Sequence, residues 1–400
     1  MGGPAVGMGG PAACVAPAGS RSDKKPRHAH SQAVLLTRSS VTASKLAIHS
    51  AWRSLLSLRD PTALTGRSGH PAKTFLLVLA VCIGATQVSA GEVPEVATRR
   101  RLVIAFASHR ERPAFANLYF YRHDGVGKGE LTGSIPALFE RADSHPSLTS
   151  DGAVCVYASK QIGGFTPLVN FWNRHEGRTT VGPAFNADAG ARIEPCVSAD
   201  GKLLAFCARG QAGSMGGWDV QLFNMAAGTP VELPGLNSEH DEREVTLSRD
   251  GRWLAFVTNR AGSLSDIGLY DRQTAVLVRL DELNTSSREI NPSLSADGRW
   301  LAFVSDRPGG AGGKDIYLYD CVAGRLIDLP GLNSVAHEQT PALSPDGRFV
   351  AFVSERTAGA GERDIYLYDR QASRLVPTPG LNSKEEDFDP CLAYEGGEPE

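Results

Sequence analysis

The chain has 400 residues, with 43 Gly, 24 Pro and a formal net charge of −3; that length suits two or three ordinary domains or one large all-β ring. Residues 1–90 carry ten of the 41 Lys/Arg and two of the 44 Asp/Glu (Asp23 and Asp60), which leaves 31 bases against 42 acids, a charge of −11, in residues 91–400. A domain that acidic excludes nucleic acid as partner, because phosphate backbones need Lys and Arg for neutralisation, and it disfavours anionic membranes while leaving basic peptides, cations and neutral ligands open.

Residues 1–72 are rich in Gly, Ala, Ser, Pro and Arg without a sustained period, and read as a low-complexity leader or a start placed too early. Lys73 then precedes an apolar run from Phe75 to Ala85, and Val88-Ser89-Ala90 has the small-x-small form of a signal peptidase site. Residues 73–90 are therefore expected to be a signal peptide, the run being too short for a transmembrane helix. Two other readings of this stretch are a basic, Ser-rich transit peptide carrying an amphipathic segment at Ser44–Arg59, and a lipoprotein site at Cys82, against which Val81 is bulky.

Asp-Gly then recurs at Asp151, Asp200, Asp250, Asp297 and Asp346. Each unit reads as four short strands: "PALS" (Pro341–Ser344), a Pro-Asp-Gly turn, the alternating "RFVAFVS" (Arg348–Ser354), a Gly-rich loop, "DIYLYD" (Asp364–Asp369), and "RLVPTPG" (Arg374–Gly380). A four-stranded unit of about 48 residues is the size of a propeller blade. Six second strands begin near Leu102, Ala153, Lys202, Arg252, Arg299 and Arg348, but only five first strands precede them. The sixth is "DPCLAY" (Asp389–Tyr394), so the C-terminal strand is expected to close the N-terminal blade. The prediction is an all-β fold, a six-bladed β-propeller over residues 98–397.

"LSADGRWLAFVSDRPGGAGGKDIYLYD" and "LSPDGRFVAFVSERTAGAGERDIYLYD" resemble the TolB-like, WD40-like (PD40) propeller repeat, best in units four to six and least in units one and two. The resemblance implies the fold and a role in envelope protein contacts. TolB proteins carry an α/β domain before the propeller, for which the stretch between Gly91 and Leu102 is too short, so the chain resembles that propeller without the N-terminal domain.

Two sets of side chains recur when the units are aligned. Three residues before the Pro that opens each unit stand Asp143, Glu242, Glu289, Glu338 and Asp387, broken by Arg192; Arg110, Arg260, Arg307 and Arg356 follow second strands, with Arg209 and Lys160 as imperfect counterparts. Acid and Arg can pair into a structural ring, or the acids, with His145, can form a rim that binds a basic peptide. Directly before the Pro position stand His145, Glu194, Glu244, Asn291, Thr340 and Asp389; Glu194, Glu244, Asn291 and Asp389 offer the oxygens that a hard cation such as Ca²⁺ would take. Asn237, Asn284, Asn333 and Asn382 read as turn-closing amides, and Asp219, Asp266, Asp315 and Asp364 as turn or Arg partners.

Units one and two depart most from the repeat. They hold His109, His123, His145 and His175, and Phe165, Phe171 and Trp172 in "GGFTPLVNFWNRHEG", which read as repacked blades or a lopsided binding patch. Five cysteines after Gly91 sit in strand-like apolar contexts and read as buried thiols. No GxSxG, HExxH or phosphate loop is present. The reading is a periplasmic or secreted, monomeric, non-catalytic module that binds a protein or peptide at its rim and uses no cofactor. The alternatives are a lactonase- or lyase-type enzyme with Ca²⁺ in the channel, and a purely structural repeat.

Overall fold

The computed structural model describes residues 100–396 apart from 137–140, 162–163, 165, 183–185, 187–189, 211–212, 261, 263 and 281. The expected leader (1–72), signal peptide (73–90) and Phe165 lie outside the described residues.

The described residues form 24 strands in six sheets of four. Blade 1 holds β1 (Leu102–Ser108), β2 (Asn117–His123) and β3 (Gly129–Ser134). Blade 2 holds β4 (Arg141–Leu148), β5 (Val154–Gln161), β6 (Leu168–Asn173) and β7 (Arg178–Val181), and blade 3 holds β8 (Ala191–Val197), β9 (Leu203–Arg209), β10 (Asp219–Asn224) and β11 (Thr229–Val231). Blade 4 holds β12 (Glu242–Leu247), β13 (Trp253–Thr258), β14 (Asp266–Asp271) and β15 (Val276–Val278); blade 5 holds β16 (Glu289–Leu294), β17 (Trp300–Ser305), β18 (Asp315–Asp320) and β19 (Arg325–Ile327). Blade 6 holds β20 (Glu338–Leu343), β21 (Phe349–Ser354), β22 (Asp364–Asp369) and β23 (Arg374–Val376). The last strand, β24 (Asp387–Tyr394), pairs antiparallel with β1, Leu102 facing Tyr394 and Ser108 facing Asp387. The ring thus closes as the sequence predicts, leaving no open edge between first and last blade.

The first strands β4, β8, β12, β16, β20 and β24 neighbour one another in turn around the centre. Second strands are buried on both faces, as the unbroken burial of β21 shows, because each blade packs against a neighbour on either side. Phe303 on β17 enters the core shared with blade 4, whereas Val304 enters the core shared with blade 6. Six apolar clusters fill the six gaps between blades, which is why "LAFV" is apolar throughout rather than alternating.

The Asp-Gly turn is built the same way in each regular blade. In blade 6 the Ser344 hydroxyl donates to Asp346 (2.7 Å) and accepts from the Phe349 amide (2.9 Å), and Gly347 sits at φ 67°. A Cβ there would come within 2.4 Å of the Trp300 ring, so glycine is required twice over.

Outer strands are shorter than expected: β23 ends at Val376, where Pro377 has no N–H to continue the ladder. In blades 3 to 6 the start of the third strand, beyond the reach of the short outer strand, is paired instead by an asparagine amide. Asn382 accepts from the Ile365 N–H and donates to its carbonyl, both at 2.9 Å, and Asn237, Asn284 and Asn333 do the same for Val220, Ile267 and Ile316. Asn186 serves Val169 in blade 2, a fifth member of the set that the irregular spacing of that unit conceals.

Candidate functional site

The acids expected at an open rim are inside the blades. Glu242, Glu289, Glu338 and Asp387 are 0 % exposed, and Asp143 is 6 % exposed. Each of the four fully buried acids is held by the Arg of its own blade: Arg110–Asp387 at 2.7 Å, Arg260–Glu242 at 3.2 Å, Arg307–Glu289 at 3.1 Å and Arg356–Glu338 at 3.0 Å. Glu338 also accepts from the Ser334 amide and hydroxyl and from the Ser354 hydroxyl. The Arg guanidinium lies over two rings, Phe352 and Tyr366 for Arg356, and donates to the Leu332 carbonyl. Buried and bonded through both carboxylate oxygens, these acids fix the blade and have no surface to offer a partner.

Blades 2 and 3 break this set. Arg192, at the acid position of blade 3, is 1 % exposed and donates to the Gly190 carbonyl at 2.6 Å; Arg209 is exposed. In blade 2 the residue two beyond the last paired serine is Gln161, not Lys160, and both are exposed.

The residues directly before the Pro position form the second ring. Each first strand carries one extra residue opposite the second strand, for example between Ser144 and Ser147 or between Gln339 and Ala342, which is a β-bulge. At the bulge His145, Glu194, Glu244, Asn291, Thr340 and Asp389 all have φ between 42° and 54°. Left-handed backbone costs a non-glycine residue roughly 1–2 kcal/mol, and a β-branched Thr340 is an outlier even among such residues. The bulge turns these six side chains into the central channel.

There they line a cavity of about 260 Å³. Below the bulge ring the wall is prolines, interrupted by Val245; then Ser147, Cys196, Thr246, Ser293, Ala342 and Cys391; then aliphatic side chains such as Leu148 and Leu343. Several of these staple neighbouring blades: Ser147 accepts from the Val197 amide, Ser293 from Leu343, and Cys391 Sγ from Leu148. At the far end backbone bonds such as Ser150 N to Ala199 O and Ala296 N to Pro345 O draw the strands together. Burial pushes the Cys391 thiol up to about 12 and raises Cys196 too, so the channel thiols stay protonated.

The mouth is uneven. Glu194 accepts from the Glu244 amide (2.7 Å) and from Arg243 (3.0 Å), and Glu244 accepts from the Asn291 amide (2.6 Å) and side chain (3.0 Å). Burial, then the Glu194 charge, raises the Glu244 carboxyl above the usual range. Asp389 sits instead against His145, receiving its amide at 3.3 Å with the ring nitrogen 3.7 Å away. Of the four oxygen donors expected to meet at one cation, Glu194, Glu244 and Asn291 are thus linked across blades 3, 4 and 5, while Asp389 on blade 1 pairs with His145 of blade 2. Among the described residues no three His, Cys, Asp or Glu converge as a metal-binding group.

The other expected features disperse. Asp315 and Asp364 accept from the loop amides of Gly312 and Gly361, and Asp219 from Met215. The four histidines of units one and two are separated: His123 is buried against the Pro377 carbonyl, His109 faces Glu386, His145 is in the channel and His175 lies in the turn after β6. Trp172 enters the core shared with blade 1 and Phe171 packs on the core shared with blade 3, so these two aromatics fill the gaps between blades. The cysteines Cys155, Cys196, Cys207, Cys321 and Cys391 are free thiols.

No family model matches the sequence and no curated protein does. Among solved structures, TolB from Acinetobacter baumannii is 21 % identical with a TM-score of 0.55, the match covering 73 % of this chain and 66 % of that one. Hydrazine synthase of Kuenenia stuttgartiensis is 12 % identical with a TM-score of 0.52, over 75 % of this chain and 47 % of that one. A TolB-type chain from Agrobacterium tumefaciens is 19 % identical at a TM-score of 0.47, over 74 % of this chain and 98 % of that one. The chain therefore spans about two thirds of the length of the first and under half of the second. It has a TolB-like six-bladed propeller fold.

Proposed function

We propose that the chain is a non-catalytic binding module, periplasmic or secreted, whose channel mouth takes a basic segment of a protein or peptide. The observation that carries this reading is the Glu194–Glu244 pair. Two carboxylates on adjacent blades face one cavity with Arg243 as their nearest counter-charge, so a cationic group entering from outside relieves their repulsion. The net −11 of residues 91–400 would draw such a partner in and keep acidic ones away. No helix among the described residues is long and apolar enough to cross a membrane. The reading needs no cofactor and treats the chain as a monomer.

The test titrates the protein into a labelled Lys/Arg-rich peptide and a matched Glu-rich one at several ionic strengths. Saturable binding of the basic peptide, falling at least tenfold from low to physiological salt, is expected. Equal binding of both peptides, or of neither, contradicts the reading. Calcium in the titration should leave the isotherm in place; tight calcium binding would favour an enzyme with a channel cation.

A further inference from the structure

We propose that the central channel receives the free N-terminus of a partner chain, with the α-ammonium at the Glu194–Glu244 pair and an apolar first side chain in the well below it. The proposal rests on the acidic mouth described above and names the part of the partner that enters.

The cavity runs down the six first strands from the bulge ring. Backbone bonds draw its far end together: Tyr394 N to Ser150 O, Ser150 N to Ala199 O, Arg249 N to Ala296 O and Ala296 N to Pro345 O. A ligand therefore enters at the mouth, where the His145 side chain is 46 % exposed, Asp389 15 % and Glu194 11 %. A space of about 260 Å³ lies at the small end of ligand sites. It suits a chain end or one side chain rather than a loop passing through.

Polarity changes with depth. At the mouth Glu194 is shared with Arg243, while Glu244 is met by the neutral Asn291. Burial and then the Glu194 charge raise the Glu244 carboxyl, and an ammonium set between the two acids removes their repulsion. One residue deeper stand Pro146, Pro195, Pro292, Pro341 and Pro390, with Val245 in place of the sixth; proline has no N–H to give. At the next level Ser147, Ser293 and Cys391 already accept from the Val197, Leu343 and Leu148 amides, and below them the wall is aliphatic.

This order selects among chain groups. A lysine side chain pushed into the well would carry its ammonium past the acids into apolar surroundings, at the cost of burying an unpaired charge. A carboxylate end would have to pass the acids before it reached Arg249 at the far end. An N-terminal residue bears its ammonium on the same carbon as its side chain, so one group stays at the mouth while the other enters the well. The rest of the chain then leaves through the mouth, and basic residues further along it remain near Asp389. Capture of a terminal amine is one of the recurring modes of peptide recognition.

The test titrates leucinamide, alaninamide, glycinamide and N-acetyl-leucinamide into the whole protein, followed by calorimetry and by amide shifts of the channel residues. Saturable leucinamide binding is expected, about tenfold or more tighter than glycinamide, with alaninamide between them. N-acetyl-leucinamide should not bind. Glu244→Gln should weaken leucinamide about tenfold with a melting temperature at or above the parent's, and Arg249→Gln should leave binding unchanged. Equal affinity for leucinamide and glycinamide overturns the well, and undiminished binding of the acetylated compound overturns the amine. If leucinamide fails to bind while an N-acetylated Lys/Arg-rich peptide binds saturably, this proposal falls and the acidic mouth stands; if neither binds, both fall. Binding of N-acetyl-leucine that Arg249→Gln abolishes would seat a carboxylate end instead and overturns the proposal.

Discussion

Two rings of polar residues stand two positions apart on the same six strands, and they could hardly differ more. Glu242, Glu289, Glu338 and Asp387 are fully buried and gripped by arginine, while Glu194, Glu244 and Asp389 line a cavity from strained left-handed positions. The comparison teaches that acidity is no guide to role in this fold. What separates a structural carboxylate from an available one is whether the bulge has turned it into the channel.

The largest effect expected from breaking the contrast lies in the inner ring. Glu338→Ala leaves Arg356 without its counter-ion and removes four hydrogen bonds, and should cost about 3 kcal/mol or more in urea unfolding. Glu244→Gln should move stability the other way. The folded state raises this carboxyl, so its ionised form opposes folding, and stability contributed by the acid is present at low pH and lost as pH rises through the raised value. The glutamine variant should therefore be more stable than the parent near pH 7 in urea unfolding, and the gain should vanish below the ordinary glutamate range, near pH 4. The smallest effect belongs to a third group of pairs, such as Arg252 with Asp271, where the arginine is 41 % exposed. Arg252→Ala should lower the urea midpoint least of the three, and less still in high salt.

The fold could be read from the chain because its signals are local and repeated: an Asp-Gly turn at near-constant spacing, apolar second strands, and a lone first strand at the end. Pairing of acid with arginine was likewise foreseeable from their matching spacing. The residues directly before each proline were also expected at the channel, where they do line the cavity; the backbone feature that turns them there was not legible. A one-residue bulge reverses which way a side chain faces, and no alternation in "EPCVSAD" or "EVTLSRD" announces it; only the following proline hints at irregular backbone. Blade 2 misled for a related reason, since its second strand runs to Gln161 and shifts the arginine-equivalent position by one.

The account stands or falls on which ring a ligand meets. The most direct measurement is a pair of isotherms for one labelled basic peptide, against Glu244→Gln and Glu338→Gln, both held below their melting temperatures. The account predicts that Glu244→Gln loses about tenfold in affinity while remaining folded, and that Glu338→Gln binds like the parent despite its lower stability. Full binding by Glu244→Gln together with loss in Glu338→Gln would contradict it.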